Sequence, residues 1–82
     1  MSTFAFYQES QNGRPIAFNL SEPNTRIITD SLQQAVDSFV LKQKLMINEI
    51  DRLLDGNARL YCSDKGWFKK NNEHVFFVRK ES

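Results

Sequence analysis

The chain has 82 residues and a formal net charge of +1, with 40% hydrophobic and 26% charged residues. These values are typical of one small globular domain spanning 1–82, and they argue against a bulk polycation or an acidic mimic of nucleic acid. Aromatic residues make up 12% of the chain, including seven Phe, and their large rings compensate for the thin core of so short a chain.

Cysteine usage and hydropathy indicate the compartment. Cys62 is the single cysteine, so an internal disulfide is excluded. The first residues carry neither a basic nor an apolar leader region, and the longest hydrophobic run, 75–78, is too short to span a bilayer. We therefore expect a cytoplasmic protein with no membrane partner.

The first third of the chain predicts a hairpin. Alternating apolar residues predict a strand over 4–8 and a returning strand over 16–20. Asn12-Gly13 between them is the strongest turn signal in the chain, because both residues tolerate positive φ. Pro15 removes a backbone donor and favours an edge position for the second strand. The segment 26–28 is a short extended piece that leads into a helix.

The middle of the chain predicts one long helix over 30–55. Asp30 followed by Gln33 has the form of a capping box, with Thr29 as the alternative cap, and Gly56 suits the left-handed position after the helix. At 100° per residue, ten apolar residues share one stripe. They are Leu32, Ala35, Val36, Phe39, Val40, Met46, Ile47, Ile50, Leu53 and Leu54.

Three residues do not fit this stripe. Gln43 lies near its centre, whereas Leu41 and Leu45 point to the opposite side. A bend or break near 41–45 would rephase the stripe. A straight helix would instead present Leu41 and Leu45 on its back to a second surface, as a protein interface. Ordinary exposed leucines are the third interpretation.

The remaining residues predict three more strands, over 59–62, 67–70 and 74–80. The fold class is therefore α+β, a single domain with a mainly antiparallel sheet in the order β-β-α-β-β-β and one long helix packed on one face. The last strand carries Val75 and Phe77 on one face and Phe76 and Val78 on the other. A strand that is apolar on both faces is expected in the centre of the sheet.

No pattern in the sequence indicates an enzyme, a cofactor or a metal. Nucleophilic catalysis would have to use the only cysteine and the only histidine, Cys62 and His74, but Cys62 shares the face of Leu60 and is better interpreted as a core residue. One Cys and one His cannot supply tetrahedral zinc ligation. The three glycines stand singly, so no phosphate-binding loop or small-molecule substrate site is predicted.

A protein interface is the first functional hypothesis. If the helix covers the sheet face that carries Phe4, Phe6 and Leu60, together with Ile16 and Phe18, the other face exposes a second set of apolar residues. This set is Tyr7, Tyr61, Phe76 and Val78. An open aromatic patch on a small protein usually marks an interface. We therefore expect an inhibitor, adaptor or regulator that binds a protein partner stoichiometrically, or a homodimer, unless loops and the N-terminal segment cover this face.

Nucleic-acid binding is the alternative hypothesis. The C-terminal third, 57–82, holds six cations against three carboxylates, and its rings and cations are interleaved. Rings can stack on bases while Lys and Arg neutralise phosphates. The residues that would do so are Arg59, Trp67, Lys69, Lys70, Arg79 and Lys80.

Overall fold

The computed structural model describes residues 1–64 and 72–81 of the chain. In chain order the elements are β1 (Ser2–Gln11), β2 (Arg14–Pro15), β3 (Thr25–Thr29), α1 (Leu32–Gln43), β4 (Leu45–Arg52), β5 (Ala58–Asp64) and β6 (Glu73–Lys80), with a 3-10 turn at Leu54–Gly56 before β5. The predicted α+β class, a mainly antiparallel sheet with one helix packed on it, is confirmed. The strand predicted over 67–70 lies outside the described residues.

The strands form one antiparallel sheet in the order β3-β1-β6-β5-β4, and β2 shares the outer edge of β1 with β3. Because α1 follows β3 and precedes β4, it connects the two opposite edges and crosses the sheet. The central strand is β6, which lies between β1 and β5. This confirms the central position that its two apolar faces predicted.

The N-terminal hairpin turns where predicted but does not continue. Asn12 and Gly13 have φ values of 51° and 78°, as a tight turn requires. Only Arg14 and Pro15 then pair with β1, and the hydrogen bond from Ile16 N to Glu9 O is the last contact of the hairpin ladder. The strand predicted over 16–20 is wrong: these residues belong to a loop, 16–24, that leaves the sheet edge.

The predicted helix range is wrong in its second half. Ser31, not Asp30 or Thr29, caps α1 by accepting a hydrogen bond from Gln34 N on its side chain. The helix ends at Gln43, because Lys44 adopts the left-handed conformation with φ 57° and ψ 50°. The chain thus breaks between 41 and 45, but a strand follows instead of a rephased helix. Across the described residues, α1 is neither long nor apolar enough to cross a membrane.

The core lies between α1 and one face of the sheet, which we call the helix face. Phe39 of α1 stacks on Phe6 of β1 with ring centroids 4.2 Å apart, and meets Phe76 of β6 edge-on at 4.8 Å. Twelve buried residues form this cluster: Phe4, Phe6, Ile27, Ala35, Val36, Phe39, Leu45, Ala58, Leu60, Cys62, Phe76 and Val78. Helix and sheet therefore bury one shared apolar layer, as an amphipathic helix on a sheet requires.

Candidate functional site

The four residues predicted to be exposed on the second sheet face, which we call the back face, do not form an open patch. Phe76 and Val78 point to the helix face and are buried in the core. The register explains this, because Val78 lies opposite Phe6 and Phe77 lies opposite Tyr7. Their predicted exposure is therefore wrong.

Tyr7 does lie on the back face, but it is fully buried, so its predicted exposure is also wrong. The loop 16–24 covers it. The ring of Phe18 packs at 5.7 Å from the ring of Tyr7, and the Tyr7 hydroxyl donates a 2.7 Å hydrogen bond to the carbonyl of Leu20. The sequence leaves open that loops cover this face, and at this end of the sheet a loop does cover it.

The covering loop has a defined turn rather than an extended form. The side-chain oxygen of Asn19 accepts hydrogen bonds from the backbone N and the hydroxyl of Ser21, and Glu22 N donates to Asn19 O. Asn and Ser favour such local turns because their side chains compete for backbone groups. At its far end, the Asn24 side chain accepts a hydrogen bond from Gln8 N. The loop is thus tied to β1 at both ends.

Covering Tyr7 creates a different apolar surface. Phe18 and Leu20 expose 43% and 47% of their surface. Phe77, whose ring is 6.2 Å from that of Tyr7, is half-buried, as are Tyr61 and Val75 opposite each other on β5 and β6. We call the set Phe18, Leu20, Tyr61, Val75 and Phe77 the back-face patch. Tyr61 alone belongs both to this patch and to the predicted interface.

An ion pair crosses the same face. Arg59 Nε lies 2.8 Å from Glu9 Oε1, although Arg59 is on β5, Glu9 is on β1 and β6 runs between them. Strands two positions apart are about 10 Å apart, so the two side chains reach toward each other over β6. The hydrogen bond to Glu9, with its negative charge, raises the pKa of Arg59. The two opposite charges of the pair compensate each other. The pair lies beside the apolar side chain of Phe77, the residue of β6 that is directly opposite Arg59 of β5.

The two leucines predicted on the helix back do not share a helix face. Leu41 is on α1 and is 78% exposed, but Leu45 is the first residue of β4 and is buried in the core. The predicted placement of both leucines on the back of one straight helix is therefore wrong. Leu41 and Leu45 nevertheless line one open groove, together with Asp37, Val40 and Lys44, at the C-terminal end of the helix.

The six residues of the nucleic-acid hypothesis are only partly placed. Trp67, Lys69 and Lys70 lie outside the described residues. Arg59 is engaged by Glu9. Arg79 and Lys80 are exposed neighbours on β6, so their side chains point to opposite faces of the sheet. The described cations therefore do not converge on one groove.

Cys62 and His74 lie directly opposite each other on β5 and β6, but they do not form a nucleophilic pair. The Cys62 thiol donates to the backbone carbonyl of His74, and burial raises the pKa of the thiol to about 12. The imidazole bonds instead to Asp64 at 2.9 Å and to the Gln8 amide at 3.1 Å. A protonated, buried thiol is a poor nucleophile and a poor metal ligand.

The imidazole belongs to a polar network at this end of the sheet. Asp64 also accepts a hydrogen bond from Asn72, which in turn accepts one from Asn12 in the tight turn. The network ties the ends of β1, β5 and β6 together. Among the described residues, no group of three or more His, Cys, Asp and Glu side chains is arranged to hold a metal ion.

Sequence reasoning missed Phe18 and Phe77 as surface residues. The strand predicted over 16–20 puts Phe18 on the helix face, and the only contrary signal in the sequence is the turn chemistry of Asn19 to Ser21. The predicted exposure of Phe76 puts Phe77 on the helix side of the last strand. Comparison of the chain with protein-family models, with curated proteins and with solved structures gives no match.

Proposed function

We propose that this chain is a non-enzymatic, cytoplasmic protein-interaction domain that binds a protein partner stoichiometrically, as an inhibitor, adaptor or regulator. The single observation that carries the proposal is the back-face patch. It joins three partly exposed aromatic rings, Phe18, Tyr61 and Phe77, on the side of the sheet that α1 does not cover. Aromatic residues are the types enriched at the centres of protein interfaces.

The way the patch is held supports the same function. Phe18 and Leu20 are on a loop, but the loop is anchored by the Tyr7 hydroxyl and by the Asn24 side chain. Ordering a surface before binding lowers the conformational entropy lost on association. The Glu9–Arg59 pair at the patch supplies polar groups that already satisfy each other. A partner with an apolar centre and a weakly charged rim is the best match to this surface.

The test combines a variant of the patch with a variant of the other face. Phe18→Glu places a charge in the patch, and Leu41→Glu places the same charge on the exposed helix surface across the sheet. Each variant is first shown to be folded by circular dichroism and thermal unfolding. Wild type and both variants are then used for affinity capture from the native host, with and without nuclease, and the captured protein is titrated against each by calorimetry.

The proposal requires one protein to be retained after nuclease treatment by wild type and by Leu41→Glu, with at least a tenfold loss of affinity for Phe18→Glu. Equal affinity for Phe18→Glu would exclude the back-face patch. Loss for Leu41→Glu alone would move the interface to the groove at the end of α1. Retention that disappears with nuclease would favour the nucleic-acid alternative, which Lys69→Glu with Lys70→Glu and a salt titration would then examine.

A further inference from the structure

The outer edge of β3 presents backbone groups that no described residue pairs with. Glu81 N donates to Thr3 O, so the backbone groups of Thr3 point toward β6. Polar backbone groups alternate in direction along a strand, so those of Phe4 point toward β3, where Ile27 lies opposite. Arg26 and Ile28, one position away from Ile27, therefore direct their N–H and C=O groups out of the sheet.

This edge lacks the usual protection of an edge strand. It contains no proline and no bulge, and its one charged side chain, Arg26, is paired with Glu81 at 2.9 Å. The hydrogen bond to Glu81 also raises the pKa of Arg26. On the back face, Ile28 is 66% exposed. Natural proteins avoid an unprotected, apolar edge unless another strand pairs with it.

The strand at the opposite edge of the sheet, β4, is protected against pairing with another chain. Strand β4 has a bulge between Ile47 and Glu49 that shifts its register against β5. Its second half carries three charged side chains, Glu49, Asp51 and Arg52. Bulges and charges of this kind discourage pairing with another chain. The contrast singles out β3 as the edge available for strand addition.

We propose that β3 pairs antiparallel with β3 of a second copy of this chain, with Ile28 opposite Ile28 on the two-fold axis. An isologous pair needs one residue to face its own copy, which leaves a small set of registers. With Ile28 at the centre, Arg26 faces Asp30 of the second copy on the same side of the sheet. With Arg26 at the centre, two guanidinium groups would oppose each other, which is destabilising. With Ile27 at the centre, Arg26 would face Ile28, so a cation would oppose an apolar side chain and the two Ile28 side chains would not meet.

This register pairs or buries the groups that the outer edge of β3 leaves exposed. It buries the two Ile28 side chains against each other and pairs the outward backbone groups of Ile28 and Arg26. Asp30 directly follows Thr29, the last residue of β3, and lies at the bend that leads into α1, so it is at the end of the segment that a second strand can pair with. A contact of one short strand is small, so the dimer is of the transient class. It uses the sheet edge and does not depend on the proposed function of the back-face patch.

Cross-linking of the full chain through one introduced cysteine tests the register, because the native Cys62 is buried. In the proposed dimer the two Ile28 Cα atoms are about 5.5 Å apart, within disulfide range, whereas two Arg26 Cα atoms are separated by roughly four residues of strand. Ile28→Cys should therefore form a covalent dimer under mild oxidation, and Arg26→Cys should not. Met46→Cys, on the protected edge β4, is the matched control. Stronger cross-linking of Arg26→Cys or Met46→Cys than of Ile28→Cys would overturn the proposal.

Sedimentation over a concentration series tests for the dimer without a covalent cross-link. Wild type should associate, and Ile28→Lys should remain monomeric while keeping the thermal stability of wild type. Asp30→Arg should weaken association about tenfold at low salt, because two attractive cross-strand pairs become repulsive, while Asp30→Glu should preserve it. A wild type that stays monomeric up to millimolar concentration would overturn the proposal, as would an Ile28→Lys variant that dimerises like wild type.

Discussion

The hydroxyl of Tyr7 donates a 2.7 Å hydrogen bond to the backbone carbonyl of Leu20, 13 residues away in the chain. This bond, with the packing of Phe18 on the Tyr7 ring, holds the loop 16–24 over the back of the sheet. The bond is partly buried, so it is shielded from part of the competition with water. The shape of the back-face patch therefore depends on a residue that is not itself on the surface.

Tyr7→Phe should detach part of this loop without disturbing the core. Loss of the one hydrogen bond that the Tyr7 hydroxyl donates to the Leu20 carbonyl predicts a decrease of about 0.5–1.5 kcal/mol in the free energy of unfolding. Chymotrypsin should cleave the variant faster after Phe18 or Leu20, because the loop samples open conformations more often. Denaturant unfolding and limited proteolysis measure the two effects. Unchanged cleavage would show that Phe18 packing alone holds the loop.

Phe39→Ala should remove the centre of the core. Phe39 stacks on Phe6 and contacts Phe76 edge-on, and its side chain is almost fully buried. The expected cost is about 3–5 kcal/mol in the free energy of unfolding, from lost burial and the cavity left behind. Leu41→Ala on the exposed side of the same helix is the matched control and should change it by less than about 0.5 kcal/mol. Similar costs for both would contradict the helix orientation.

Lys44→Gly should stabilise the protein. Lys44 has φ 57° and ψ 50°, a conformation that a residue with a Cβ atom adopts only at a cost and glycine adopts freely. We expect a gain of about 0.5–1 kcal/mol in the free energy of unfolding. Lys42→Gly, inside the last helical turn, removes the same charge and should lose about 1 kcal/mol. The opposite signs, measured by denaturant unfolding, distinguish a left-handed cap from a continuous helix.

Cys62 should be unreactive in the folded protein. Its pKa is raised from 9.0 to about 12, first by burial and then by the charge of Asp64, so almost no thiolate exists at about pH 8. Iodoacetamide should modify it only at the rate of unfolding, and fast labelling of native protein would contradict its burial. The folded state holds this proton more tightly, so the stabilisation is complete below pH 9 and is lost as pH rises toward 12. The stability difference from Cys62→Ala should shrink over that interval.

Glu9→Gln should have a small, salt-dependent effect. The Glu9–Arg59 pair is partly exposed, and pairs of this type contribute about 0–1 kcal/mol. The free energy of unfolding should therefore fall by less than about 1 kcal/mol, and by less still in concentrated salt. Glu22→Gln in the exposed loop 16–24 removes the same charge and serves as the control. Equal effects of both variants would indicate net charge rather than the pair.

The sequence predicts the parts of this fold where local chemistry and tertiary packing agree. The Asn12-Gly13 turn, β1 and the two-sided β6 fall in this group. The second half of the predicted helix fails for a specific reason. Leu45, Ile47 and Ile50 share the helix face of the sheet because a bulge separates Ile47 from Ile50. Spacings of two and then three residues imitate a helical stripe.

The candidate surface was harder to predict, because it depends on long-range register. Alternation correctly separates Phe76 from Phe77, but only the pairing of Val78 with Phe6 decides which of the two faces the helix. A slip of one residue would exchange them. Similarly, no local sequence pattern predicts that the Leu20 carbonyl accepts a hydrogen bond from the Tyr7 hydroxyl. The end of α1 was hidden because a lysine, not a glycine, occupies its left-handed position.

The placement of β6 has a consequence for the order of events as the chain folds. The strands β1, β2 and β3 form one half of the sheet and β4 and β5 form the other, and among the described strands β6 alone hydrogen-bonds to both halves. Residues from nearly opposite ends of the sequence must meet before the halves join, which requires closing a long loop at a large entropic cost. We therefore expect assembly to be all-or-none and comparatively slow, with docking of β6 as the step that commits the chain.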